Sequence, residues 1–304
     1  MQALTPPPPP GYYVQRHSDV NAYELKCLKL MAHDQPNTWV CEACMELHEA
    51  TPDDTPHSYL DTRISCPLGR MEWGKRVYAS WTACRFDPRI IFQLDHRHVQ
   101  LALKYLRLKD ASHRAHFKAL TMTPYPQNYE ASLSPTPDLM APDTLYTPTP
   151  KIVSVDGQPR FLVKSVWSFQ PHVFEPLNWD TLRNVWVCPH LYRAVCGSYE
   201  VNKTPLNRAF GVARFAAYFG IQHTFSCDHC PTEYSIRFGK SDVEVHAWQD
   251  FGPETCPTDV AWRSHCYCPW SLESTPGGVL SAPPAHHDVG RIQRWYEELP
   301  AEVF

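Results

Sequence analysis

In the first half of the chain, apolar residues recur at helical spacing after residue 87. Asp87-Pro88 supplies an N-cap with proline at the first helical position. Ile91, Leu94, His98, Leu101, Tyr105 and Leu108 follow at three- and four-residue intervals, which predicts a helix with one buried stripe. A second short helix is expected over Ser112–Leu120. Past residue 150 the texture changes. Lys151–Val155 and Phe161–Phe169 are β-rich runs on either side of Asp156-Gly157, a hairpin signature. Thr232–Phe238 and Val243–Phe251 flank Gly239–Asp242 in the same way. Leu206–Phe219 has few breakers apart from Gly211 and reads as a helix, while Asp288–Leu299 places Val289, Ile292, Trp295, Tyr296 and Leu299 on one helical face. There is no repeat of fixed period.

Composition divides these elements into domains. Proline is abundant, with 30 in 304 residues against 12 glycines, and it disfavours long uninterrupted helices. Residues 1–18, with five consecutive prolines, read as a disordered polyproline-rich tail. Residues 121–150 contain seven prolines and no basic residue, which is linker composition. The expected organisation is therefore a tail over 1–18, an N-terminal Cys-containing helical domain over 19–120, a linker over 121–150, and a C-terminal mixed α and β domain over 151–304. The lack of a Gly-X-Y period excludes collagen. No apolar run reaches the ~18 residues of a membrane span. The net charge of −4 supplies no general attraction to nucleic acid.

The cysteines carry the chemistry. The amino terminus lacks the apolar stretch of a secretory signal, so a cytoplasmic or nuclear location is expected. There, 12 cysteines are better explained by zinc than by disulfides. Cys227-Asp228-His229-Cys230 is a C-x2-C knuckle that aims two thiolates at one point, and Cys188-Pro189-His190 adds a thiolate and an imidazole. Cys188, His190, Cys227 and Cys230 together predict a closed structural zinc site, with His229 exposed and not a ligand. Cys41-Glu42-Ala43-Cys44 opens a second candidate, in which Cys66 and either His48 or Cys84 complete the set. Cys256, Cys266 and Cys268 are read as thiols of the fold and Cys27 as a core residue. The fold class that follows is α+β: a helical N-terminal zinc-knuckle region, then a mixed α/β domain with β-hairpins and a zinc-ribbon-like site.

Other polar clusters are read as ordinary surface. His96 and His98 point about 200° apart on a helix and cannot share one ion. They are expected, with His113 and His116, on solvated faces. Arg85–Lys118 carries eight basic residues against three aspartates, the pattern of a solvated helix side. The H-E-x-x-H, zinc-deaminase, G-x-S-x-G, Walker A and G-x-G-x-x-G patterns are all absent from the sequence.

Several of these segments together resemble a group of filamentous-fungal F-box-associated cysteine-rich proteins. Trp39-Val40-Cys41 through Leu47-His48 is similar to their C-x2-C-x2-L-H segment, and Pro159–Val163 with Trp167 to their hairpin. Cys188-Pro189-His190-Leu191, Cys227–Tyr234 and Trp248–Gly252 resemble their C-P-H-L, C-x2-C-x-T-[DE]-[YF] and W-x-D-x-G motifs, continued by Asp259, Trp262 and His265. Gly69 stands where many relatives carry a further Cys, and no F-box pattern precedes Cys41. The resemblance implies a non-enzymatic protein-interaction module, like the substrate-binding part of an F-box-type adaptor, with protein partners. A zinc-ribbon nucleic-acid-binding or regulatory protein and an accessory enzyme with an unrecognised active site are the alternatives.

Overall fold

The structure, a computed structural model, describes residues 23–41, 44–56, 80–82, 92–124, 127–128, 144–170, 185, 187–188, 190–191, 205–239, 242–266 and 287–304. It is α+β and built around one antiparallel sheet. A first helix, α1, covers residues 23–32. Strands β1 (Thr38–Cys41) and β2 (Glu46–Glu49) pair with each other, as do β3 (Ser80–Thr82) and β4 (Gln93–Asp95). Helix α2 (His96–Leu108), a 3-10 turn over Ala111–His113 and helix α3 (Arg114–Thr121) follow. The sheet comprises β5 (Gln127–Asn128), β6 (Thr144–Val155), β7 (Gln158–Phe169), β8 (Thr224–Ser226), β9 (Thr232–Phe238) and β10 (Val243–Pro253), in the order β5-β6-β7-β10-β9-β8. Helix α4 (Pro205–Tyr218) precedes β8, and α5 (Val260–Cys266) and α6 (Arg291–Glu298) close the chain.

The expected hairpins are present. Asp156 and Gly157 adopt φ of 53° and 76°, the left-handed pair of a tight two-residue turn, and join strands of twelve residues each. Period-two alternation then sorts side chains between two layers. Ile152, Phe161, Val163, Trp167, Val245 and Ala247 face α2, α3 and α4 in the main core. Val153, Val155, Leu162 and Trp248 face the opposite way and pack on Ile292 and Tyr296 of α6. The sheet is therefore covered on both faces, and one core runs from Trp39 and Leu101 through to Tyr234 and Trp262.

Four expectations are corrected. Residues 144–150, read as linker, form the first half of β6 and alternate regularly in burial. Their proline content masks the strand. Pro148 and Pro150 lie beyond the short β5, on the outer edge of β6, where a missing N–H breaks no ladder among the described residues. Helix α2 starts at His96, not near Pro88, because Leu94 belongs to β4 and Asp95 is the N-cap; residues 83–91 lie outside the described residues. The backbone N–H of Asp95 donates to His98 Nδ1 at 3.0 Å, half of a capping box. His96, His98 and His113 are buried and His116 half-buried, so these rings are interior hydrogen-bonding groups. The basic run is not simply a solvated face either. Lys104 is 1% exposed, and its ammonium donates to the carbonyls of Ala32, Gln35 and Thr38 at 2.7, 3.0 and 2.6 Å, capping the end of α1. Arg107 pairs with the half-buried Glu254, which also accepts from Lys29.

Candidate metal centres

The larger constellation lies at the β8 end of the sheet. Cys227–Cys230 is the connection between β8 and β9, two adjacent antiparallel strands, so the knuckle is a hairpin loop pinned at both ends. Cys227 N–H donates to Thr232 O at 2.9 Å, Thr232 N–H to Cys230 O at 2.7 Å and Asp250 N–H to Pro231 O at 3.0 Å. The amide of His229 points at Cys227 Sγ, 3.4 Å away, as an amide does toward a thiolate. The second arm comes from residues 187–191, where Leu191 N–H donates to Cys188 O at 3.3 Å in a tight turn. Its anchor is Gln249 of β10, which is fully buried and donates from Nε2 to Val187 O at 2.7 Å.

Folding brings together one ligand atom from each of Cys188, His190, Cys227 and Cys230, all within 4.8 Å of one another. The three cysteines are buried and the histidine half-buried. Burial pushes the Cys188 and Cys230 thiols well up, whereas hydrogen bonds from Cys188 and Cys230, with His190 beside them, hold Cys227 well below the usual thiol range. Nδ1 of His190 is buried without a hydrogen bond. Tetrahedral bonds of ~2.3 Å from a shared ion set sulfurs about 3.8 Å apart, inside the observed spread. These four residues can hold a metal ion. His229 is exposed and lies outside this set, its ring 5.0 Å from that of His190.

A second group gathers Cys41, Cys44 and His48, again within 4.8 Å of one another. Cys41 ends β1, Cys44 precedes β2, and His48 sits on β2 opposite Trp39, so a single hairpin supplies all three. Met45 takes the left-handed conformation at the turn, φ 59°, and donates its N–H to Cys41 O at 3.1 Å. Cys44 Sγ is 3.0 Å from His48 Nε2, and burial lowers the pKa of His48. Three described donors can hold an ion here. Cys66 and Cys84 lie outside the described residues.

Position in the fold also accounts for residues that sequence reasoning missed. Gln100 of α2 brackets β1, accepting from Val40 N–H and donating to Val40 O, both at 3.1 Å; its side chain thus stands in for a neighbouring strand next to Cys41. Asp250 receives Arg160 through two nitrogens at 2.6 and 3.0 Å and accepts from Gly252 N–H at 2.9 Å. Gly252, at φ 91°, lies where a Cβ would meet that of Ala261 at 3.1 Å, so the bend after Asp250 and the approach of α5 both require glycine. His265 of α5 packs 4.4 Å from Phe251 and its Nε2 lies 3.1 Å from Asp250 O. Cys256 is buried and receives a bond from Thr258 at 3.3 Å. Cys27 is half-buried, not a core residue, and Cys268 and the side chain of Cys266 are outside the described residues.

No protein-family profile, curated protein or solved structure matches the chain. Among the described residues, no helix is long and apolar enough to cross a membrane.

Proposed function

We propose that the protein is a non-enzymatic interaction module whose fold is cross-linked by structural zinc at Cys188, His190, Cys227 and Cys230. The observation that carries this reading is the convergence of four donors, from two segments some forty residues apart, within 4.8 Å. Three thiolates and one imidazole suit zinc, and four protein ligands leave no coordination position for a substrate or water. A second zinc binds Cys41, Cys44 and His48, with Cys66 as the remaining donor. The likeness of residues 39–265 to fungal F-box-associated proteins supports a role as the recognition part of an adaptor in the cytoplasm or nucleus.

Metal analysis of the purified chain tests the reading. One to two equivalents of zinc are expected, and Cys227→Ser should remove one of them and lower the unfolding temperature, because metal affinity contributes directly to folding. Zinc well below one equivalent, or a Cys227→Ser variant as stable and as metal-loaded as the parent, overturns it. For the adaptor role, affinity capture in the native host should recover cullin-complex subunits. Their consistent absence removes that role.

A further inference from the structure

Helix α4 has two unlike faces. Leu206, Ala209, Phe210, Ala213 and Ala216 are buried against the sheet, with Phe210 packed on Phe238 of β9 at 5.1 Å. The outer face carries Val212, Phe215, Tyr218 and Phe219, and Ile221 follows in the next turn; all five are between 46% and 86% exposed. Phe215 touches Phe219 at 5.2 Å and Phe219 touches Tyr218 at 5.3 Å, so they form one continuous patch. In the middle of this face is Gly211, where an added Cβ would meet nothing within 4 Å. A glycine inside a helix is destabilising, and no close approach within the described residues requires this one. On the helix surface its neighbours three and four positions away include Arg208, Arg214 and Phe215. The result is a notch rimmed by two guanidiniums and an aromatic ring. Residues 201–227 contain no Asp or Glu, and among the described residues neither exposed arginine has an ion-pair partner.

We infer that the outer face of α4 docks an acidic amphipathic helix of a partner protein, with an apolar ridge on Phe215 and Phe219 and carboxylates against Arg208 and Arg214. The notch at Gly211 lets the two helix backbones approach closely. A second copy of this chain does not fit. Antiparallel α4 helices crossing at Gly211 would set Arg208 of one copy against Arg214 of the other, with no acidic residue to relieve them. Nucleic acid fits less well, since two arginines neutralise little phosphate and the rings pack edge to face, at 65° and 83°, instead of presenting open faces.

This inference rests on the reading of the protein as an interaction module, and one experiment separates the two. The full chain is used to select from a displayed library of helical peptides with leucines at i, i+3, i+4 and i+7 and randomised flanks. Selected peptides should be enriched in Asp and Glu on the flanks. Their affinity should fall at least tenfold for Gly211→Leu and for Phe215→Ser. Gly211→Leu should at the same time raise the melting temperature, since leucine is the better helix former, which separates lost docking from lost folding. The doubly charge-reversed R208E/R214E should prefer lysine-flanked peptides. Selected peptides without acidic bias, or insensitive to these substitutions, overturn the docking face and leave the interaction module standing. A library that yields no binder overturns the docking face as well, and the interaction module is then judged on its own metal and capture experiments. Self-association abolished by Gly211→Leu, or binding of α4 to single-stranded DNA or to anionic vesicles in place of peptides, overturns the proposed partner.

Discussion

Gln249 offers a direct test of whether the sheet core sets the metal site. Its side chain and Val187 are both fully buried, and the 2.7 Å bond between them is the tie from β10 to the non-strand segment that carries Cys188 and His190. Gln249→Leu keeps most of the volume but leaves the Val187 carbonyl without a donor, at a cost of about 1–3 kcal/mol. Because that carbonyl is adjacent to Cys188, the cost falls on the arm holding two of the four ligands. At 1.4 kcal/mol per tenfold, full expression in binding corresponds to roughly a 5- to 150-fold loss of zinc affinity. This agrees with the 10- to 100-fold typical of residues that orient metal ligands. Competition titration against a chromophoric chelator measures the loss. The control is Leu162→Ala, a truncation on the other face of the sheet expected to cost about 2–5 kcal/mol of stability without touching either ligand arm. Affinity within twofold of the parent for Gln249→Leu, or an equal loss for Leu162→Ala, would refute the reasoning.

Other outcomes follow from buried polar groups. Glu233 is fully buried on β9 and accepts from the amides of Ile292 and Gln293 at 3.1 and 2.8 Å, so it caps α6 from across the fold. Glu233→Ala should cost on the order of 3 kcal/mol or more in urea unfolding and release hydrogen-exchange protection in α6 first; Glu233→Gln, which keeps one acceptor, should cost roughly half as much. His96 is held neutral by burial, with its pKa lowered to about 3 from 6.5. The unfolded chain therefore binds more protons between those values, and stability is full above pH 6.5 and declines as pH falls toward 3, by about 5 kcal/mol for this one ring. Acid titration of the fold should show that decline, and His96→Gln should shift the acid midpoint downward; an unchanged midpoint contradicts it. Lys104→Met removes the donor shared by the carbonyls of Ala32, Gln35 and Thr38, which ties the end of α1 to the start of β1, and fraying of residues 23–32 by hydrogen exchange should exceed any loss in the sheet.

Local signals were legible in the sequence and cross-chain ones were not. Asp156-Gly157 declares its turn through its own backbone preferences, and the C-x2-C pairs declare hairpin loops, so the hairpin and the grouping of Cys188, His190, Cys227 and Cys230 could be anticipated. Pro148 and Pro150 obscure a strand whose alternation is nevertheless present in Tyr146, Ile152 and their neighbours, because two prolines suggest a linker as strongly as the alternation suggests a strand. For the histidines of α2, a helical spacing that keeps them from sharing an ion says nothing about burial. His96 in fact bonds Gln100 at 2.7 Å, and Gln100 in turn completes β1 sixty residues earlier in the chain. Gln249 carries no local mark, and the motif position of Glu233 says nothing of its partner. Each looks like a polar residue on a strand, and its role exists only once Val187 or the start of α6 has been folded against it.

The two strand prolines have a further consequence for behaviour at high concentration. A long, flat outer strand with a free row of amide donors is a template for pairing with another molecule. In β6 the backbone of Ile152 faces away from β7, since its carbonyl accepts from Glu302 N–H at 2.8 Å. Pro148 and Pro150 share that parity and present no donors along the same edge. The C-terminal segment shields one end of this row and the prolines silence the middle. Residues that resemble a linker in composition thus leave this edge poor in donors, and a strand rich in β-branched residues in their place is expected to raise the tendency of the chain to form intermolecular sheets.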